Sequence, residues 1–204
     1  MSYEIGSNNF SFSANYIEDL ISPAYTLTDE NVRIYQAQNF GAVKKYRLDY
    51  NFTGNLKKWI YVNFSLGAQY YDFQTNDNLL EGKRFSINNS IYTGIKLSET
   101  TSLNFFNIYF SEFQQHVVRD KGYYKLDTSI EKKLWKGKGL IKISIHDVFD
   151  SFRARNISTY SDFSFQFFQK RRTQGLSLFL QYKFDNNKKV NKKSVRSSQT
   201  RYRL

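Results

Sequence analysis

The chain has 204 residues, 40% of them apolar and 24% charged, enough for one ordinary domain and too polar for a bundle of membrane helices. No window approaches the ~18 consecutive apolar residues of a spanning helix, and the lack of cysteine excludes a disulfide framework, a thiol nucleophile and a cysteine-bearing zinc site. Net charge is +12, but residues 185–204 hold seven basic residues and one acidic one, so half of the excess lies in a short tail.

With 19 Phe and 16 Tyr against a single Pro, the composition favours strands. The opening residues, MSYEIGSNNFSFSANYIEDL, have neither a basic stretch nor an apolar one of signal-peptide type, so the chain is expected to be either soluble or a piece of a longer exported protein.

Alternation with period two then recurs along the chain. The first predicted strand sets Phe10, Phe12, Ala14 and Tyr16 against Ser11, Ser13 and Asn15, and a longer polar connection follows near 22–31. The second sets Tyr46, Leu48, Tyr50 and Phe52 against Lys45, Arg47, Asp49 and Asn51, before a short turn at 53–57. The third, 59–71, is the clearest: Ile60, Val62, Phe64, Leu66, Ala68 and Tyr70 on one face, Tyr61, Asn63, Ser65, Gly67 and Gln69 on the other. A longer connection near 74–84 leads to a fourth strand at 85–97, a short turn at 98–101 and a fifth strand at 103–114 that alternates poorly. After a briefer connection near 117–122 come a sixth strand at 123–134, a short turn at 136–139 and a seventh strand at 140–149. A long connection at 150–162 precedes the last predicted strand, 163–184.

Tight turns at one end and longer loops at the other describe a transmembrane barrel wall, with the C-terminus on the periplasmic side. The predicted fold is therefore an all-β antiparallel wall of about eight strands over residues 1–184, followed by a basic, disordered periplasmic tail at 185–204. A soluble β-sandwich also alternates, but its strands are usually ~5–6 residues long. Most runs here are about 9–14, close to the ~9–11 of a tilted membrane strand. Aromatics near strand ends, among them Trp59, Tyr71, Phe85, Tyr124 and Trp135, suit interfacial girdles.

The segment KKLWKGKGLIKISIHDVFDSFRARN, followed by FFQKRRTQGLSLFLQYKF, resembles the C-terminal barrel end of TonB-dependent receptors of the outer membrane β-barrel family. Their penultimate strand often carries Asp-x-Phe-Asn or Asp-x-Phe-Asp, and their last strand closes on Leu-Ser-Leu-x-Tyr-x-Phe. The corresponding residues are Asp147, Phe149 and Asp150, then Leu176, Ser177, Leu178, Tyr182 and Phe184, with a slightly longer spacer after the second Leu. The resemblance implies the final part of a barrel of ~22 strands, with an N-terminal plug, the remaining strands and an energy-coupling segment supplied from elsewhere. It further implies uptake of a substrate, with outer-membrane lipid and lipopolysaccharide as surroundings. An in-frame continuation upstream of Met1 encoding more strands, a plug and a signal peptide is expected under that reading.

Leu176, Leu178, Leu180, Tyr182 and Phe184 form one apolar face at strand spacing, expected with Ile60, Val62, Phe64 and Leu66 to meet lipid. The alternative of the same class is a self-contained eight-stranded barrel with a structural, adhesive or lipid-modifying role. There Lys45, Arg47, Asp49, Lys125, Asp127 and Glu131 would have to pair inside a narrow lumen.

No enzyme, cofactor, metal or nucleic-acid function is expected. Ser144, His146 and Asp147 fall close together, but Asp147 points to the opposite face of the strand from His146 and cannot orient its ring from there. His116 has no second ligand at metal spacing and reads as a solvated loop residue. The tail around Tyr202 reads as a charged disordered segment rather than a nucleic-acid patch. Lys170, Arg171 and Arg172 are expected within the long last strand, facing loop water or lipopolysaccharide phosphates. A wall protein should need detergent for extraction, and recovery in the soluble fraction without it would favour a sandwich instead.

Overall fold

The computed structural model describes residues 6–28, 30, 32–74, 82–115, 118–159 and 163–184, so His116, part of the 74–84 connection and the basic tail lie outside the described residues. Eight strands form one antiparallel sheet: β1 Ser7–Ile17, β4 Ala42–Lys57, β5 Ile60–Gln74, β6 Gly82–Lys96, β7 Thr101–Phe110, β10 Tyr123–Leu134, β11 Gly139–His146 and β14 Gly175–Tyr182. They pair in that order, each with its neighbours, so β1 and β14 are the two edges of an open sheet. Self-closure into eight strands would pair these two, and in the structure β1 pairs with β4 alone and β14 with β11 alone.

The short connections are residues 58–59, 97–100 and 135–138, all at one end. The first lies beyond the 53–57 expected from the sequence, because β4 runs to Lys57 through an irregularity in pairing between Asn55 and Lys57. At the third turn, Trp135, Lys136 and Gly137 all take positive φ, and the Lys138 N–H closes the reversal on the Trp135 carbonyl at 3.1 Å.

At the opposite end the long connections fold into strands of their own. Residues 22–31, expected as a loop, belong largely to β2 Ile21–Leu27, which pairs with β3 Arg33–Asn39. Four more strands, β8 Phe113–Gln115, β9 Val118–Asp120, β12 Ala154–Thr159 and β13 Ser164–Gln169, form a second sheet in the order β13-β12-β9-β8. Backbone polar groups need partners, and a long hydrated loop can supply them by pairing with its neighbour.

Three predicted strands are corrected here. The fifth ends at Phe110 because Ser111 turns back onto Ile87, accepting a hydrogen bond from its N–H at 2.8 Å and donating its own N–H to the Ile87 carbonyl at 2.8 Å. The seventh ends at His146, so Asp147, Phe149 and Asp150 lie in a turn. The eighth is two strands: the Thr173 hydroxyl donates to Asp147 at 2.6 Å and the Gln174 amide to the Val148 carbonyl at 3.3 Å, drawing 170–174 out of the ladder. Lys170, Arg171 and Arg172 therefore sit in a connection.

The small hydrophobic cluster, Leu20, Phe40, Val43 and Phe73 with Tyr71, Val118 and Phe163 against it, lies at the loop end. Gly122 closes the β9–β10 connection with φ +71°, and a Cβ there would meet the Phe110 carbonyl oxygen at 2.3 Å. Gly122→Ala should cost about 1–3 kcal/mol locally, read as faster proteolysis between 111 and 122 with the wall strands still protected.

Candidate functional site

Residues directly opposite in an antiparallel ladder project to the same face, so the registers assign every wall side chain. Phe12 faces Leu48, Leu48 faces Ala68 and Ala68 faces Ile87. Leu103 faces Ile130, Ile130 faces Ile143 and Ile143 faces Leu178. Continued across the sheet, this places Ile60, Val62, Phe64 and Leu66 on the same face as Leu176, Leu178, Leu180 and Tyr182. Its polar exceptions are Asn89, Thr93, Asn107 and Thr128 in the middle of the wall, Asn8, Thr101 and Lys132 toward the short-turn end, and Lys44, Asp72, Gln74 and Lys83 toward the loops. Thr128 turns its hydroxyl to the Asn104 carbonyl at 3.2 Å.

Nothing among the described residues packs over this face. On strands inside the sheet Phe85 remains 64% exposed, Ile130 43% and Ile143 43%, values foreign to the core of a sandwich. Rings gather at its margins. Tyr46 and Tyr70 lie 6.2 Å apart and Tyr124 and Phe149 6.0 Å apart toward the loops; Trp135, Tyr182 and Phe184 meet edge-on at 5.5 and 4.7 Å at the short-turn end.

The opposite face carries Ser11, Ser13, Arg47, Asp49, Asn63, Ser65, Gln69, Asn88, Ser90, Lys125, Asp127, Ser129, Lys142, Ser144 and Ser177. The poorly alternating fifth strand resolves as Leu103, Phe105 and Tyr109 on the apolar face and Asn104, Phe106, Ile108 and Phe110 on this one. Its charges pair along a strand, not across a narrow bore: Arg47 holds Asp49 through two hydrogen bonds, at 2.6 and 2.8 Å, and Lys125 holds Asp127 at 2.9 Å. Glu131 stands opposite Lys142.

His146 does find a carboxylate, which sequence adjacency could not show because it comes from β10. Its Nε2 lies 3.0 Å from Ser177 Oγ and its Nδ1 3.7 Å from Asp127 Oδ2. The second distance is too long for a hydrogen bond, and Asp127 already accepts from Lys125 and from the Asp147 N–H at 2.8 Å. Strand N–H groups lie in the plane of the sheet, so none is aimed at an oxyanion above Ser177. The geometry is that of a hydrated polar network. Ser144 lies across from Ser177 and takes no part in a triad.

Asp147, the first residue of the Asp-x-Phe-Asp element, is fully buried with φ +45°. Its carboxylate accepts from Thr173, from the Ser151 N–H at 3.0 Å and hydroxyl at 3.3 Å, and from the Phe152 N–H at 3.2 Å. Asp150 closes the turn by donating its N–H to the Asp147 carbonyl at 2.8 Å and pairs with Lys170. Phe149 packs on Tyr124. The element is thus a turn hub that fastens two outer connections to the wall.

Burial pushes the Asp147 carboxyl up, but the hydrogen bonds from Thr173, Ser151 and Phe152 outweigh it and hold it below the ordinary carboxylate range. Hydrogen bonding from Lys121, with Arg119 adding to it, likewise lowers Glu112. Both groups therefore contribute stability that is complete above the unfolded values of about 4 and is lost as pH falls through the lower folded values. Hydrogen exchange, corrected for intrinsic rates, should show protection of residues 148–153 falling only below about pH 4. Asp147→Ala should lose about 2–3 kcal/mol of that protection near neutral pH, a difference that shrinks as pH falls below about 4.

Among the described residues no group of His, Asp and Glu is placed to hold a metal ion. Among comparisons with known proteins, the model of the outer membrane protein beta-barrel family matches residues 1–182. No curated protein and no solved structure matches the chain. One face apolar and uncovered, the other polar, tight turns at one end and elaborated loops at the other, and a family match over nearly the whole wall lead to one conclusion: the chain belongs to the outer membrane protein beta-barrel family, and its place is the bacterial outer membrane.

Proposed function

We propose that the chain forms the C-terminal strands of the barrel of a TonB-dependent receptor, through which a substrate is taken up. The observation that carries this reading is the open wall: both edge strands, β1 and β14, are exposed along their whole length, on both faces. In hydrocarbon every strand edge needs a hydrogen-bonding neighbour, which in this reading further strands on both sides supply. The Asp147, Phe149, Asp150 element and the Leu176 to Phe184 ending resemble the end of such receptors. Chain outside residues 1–204 would supply the remaining strands, the plug and the contact with the energy-coupling TonB system.

In this reading Ile60, Val62, Phe64, Leu66, Leu176, Leu178 and Leu180 meet acyl chains. The outer connections, with Arg171 and Arg172, meet lipopolysaccharide. From Trp59 to Tyr70 a strand tilted by ~40° climbs about 28 Å, close to the ~25 Å apolar band of outer-membrane barrels. The wall catalyses nothing and binds no cofactor or nucleic acid; its polar face lines the passage.

Leu66→Lys should cost about 2–4 kcal/mol of folding stability in bilayers, while Ser65→Lys on the other face costs under about 1 kcal/mol; equal costs would sink the assignment of faces. Spin labels at Val62, Leu66 and Leu178 should report contact with acyl chains. In cells carrying the whole reading frame, a protonophore should abolish substrate accumulation while leaving surface binding intact. Accumulation that continues without the proton-motive force would overturn the receptor reading.

A further inference from the structure

Near the loop end of the polar face, one cross-strand row reads Asn15, Lys45, Tyr71, Arg84 across β1, β4, β5 and β6. Neighbouring strands are ~4.8 Å apart, so the two cations rise from the sheet about 10 Å apart, on either side of one phenol ring. Lys45 Nζ lies over that ring, 5.4 Å from its centroid. Arg84 donates to the Gln114 side-chain oxygen at 2.8 Å and to the Lys83 carbonyl at 2.9 Å, both neutral acceptors that leave its charge uncancelled.

The flanking rows add no carboxylate. Ile17, Val43, Phe73 and Gly82 stand on the loop side, and Ser13, Arg47, Gln69 and Ser86 on the other. The acids of this region are engaged: Asp49 by Arg47, and Glu112, which lines a small pocket with Arg84, by Arg119 and Lys121. Elsewhere on this face each acid has a basic neighbour, Lys125 beside Asp127 and Lys142 opposite Glu131. Among the described residues Lys45 and Arg84 are the cations of the wall's polar face, at its loop end, that no carboxylate pairs.

Lys45 lines a cavity of about 350 Å³ whose walls include Leu20, Val43, Tyr71, Phe73, Phe110 and Gln114, and Arg84 lines a smaller adjoining pocket that shares Tyr71, Ser86 and Gln114 with it. Tyr71 and Phe73 stack with centroids 5.7 Å apart and planes 9° apart, giving an apolar wall. Such a volume, apolar with a few placed polar groups, is that of a small-molecule site.

We propose that this cavity is the entry site for the cargo, and that the cargo is a small amphipathic anion. A carboxylate- or phosphate-type group would lie between Lys45 and Arg84, with an apolar body against Tyr71 and Phe73. The proposal rests on the reading of the polar face as lining an aqueous passage. The same geometry rules out lipopolysaccharide as the source of the anion, since the row lies on the face turned away from lipid.

Dansylglycine and dansylamide share one fluorophore and differ by a carboxymethyl group that carries the negative charge, so their binding to the full-length protein in detergent tests for recognition of the anion. Dansylglycine should bind about tenfold more tightly at low salt, and the advantage should shrink at about 0.5 M salt. The double variant Lys45→Gln/Arg84→Gln should bring the two probes within about twofold of each other, with dansylamide unchanged. Ser86→Asp, which keeps both cations but adds a competing carboxylate in the next row, should weaken dansylglycine alone, and it serves as the test if the double variant fails to fold. Equal binding of the two probes to the unaltered protein, or an advantage that survives both variants, overturns the proposal. Selective binding in cells that do not accumulate dansylglycine supports the site and counts against the uptake reading instead.

Discussion

The structure depends first on register. Strand side chains alternate with period two, so a slip of one residue between any two neighbours would carry an apolar row onto the polar face and a charged row onto the apolar one. The pairings that set Phe64 between Phe52 and Ile91, and Ile143 between Ile130 and Leu178, repeat the same choice across all eight strands. With hydrocarbon on one side and water on the other, each misplaced Lys or Asp would cost several kcal/mol. The solvent, rather than any internal core, therefore selects the alignment. This is why, among the described residues, only Leu20, Phe40, Val43 and Phe73 form a buried apolar cluster in a chain so rich in Phe and Tyr.

The two ends of the wall differ for the same physical reason. At the short-turn end the chain only has to reverse, and residues 58–59 or a single tight turn at Trp135–Gly137 suffice. At the other end the connections are long and hydrated, so they must satisfy their own backbone groups. They do so as the β2–β3 hairpin and the four-stranded outer sheet. Asp147 links this superstructure to the wall: one buried carboxylate gathers donors from the 151–152 turn and from Thr173, just ahead of the last strand. The family-like element thus has a mechanical meaning, because what happens in the outer loops is tied through it to β11 and β14.

The polar face is not uniform. Small side chains, Ser65 and Ser90 opposite each other and Ser129, Ser144 and Ser177 in one row, leave the middle of the wall low. Bulk and unbalanced positive charge gather at the mouth, where Lys45, Tyr71 and Arg84 stand in line. In the receptor reading, a plug would rest against the low middle and a ligand would first meet the charged rim.

Much of this was legible in the alternation alone: the all-β class, the number of wall strands, the end that carries the loops, and the set of side chains that share the apolar face. These follow from the pleat, a property of each strand by itself. What needed the tertiary structure was everything set by partners distant in sequence. The supposed last strand broke in two because Thr173 and Gln174 are claimed by Asp147 and Val148, some 26 residues earlier. Loops read as structureless became strands because another loop lay beside them. The carboxylate near His146 came from β10, and the row of Lys45, Tyr71 and Arg84 exists only once three strands are in register. Periodicity states which way a side chain points, whereas only the fold decides what stands opposite it.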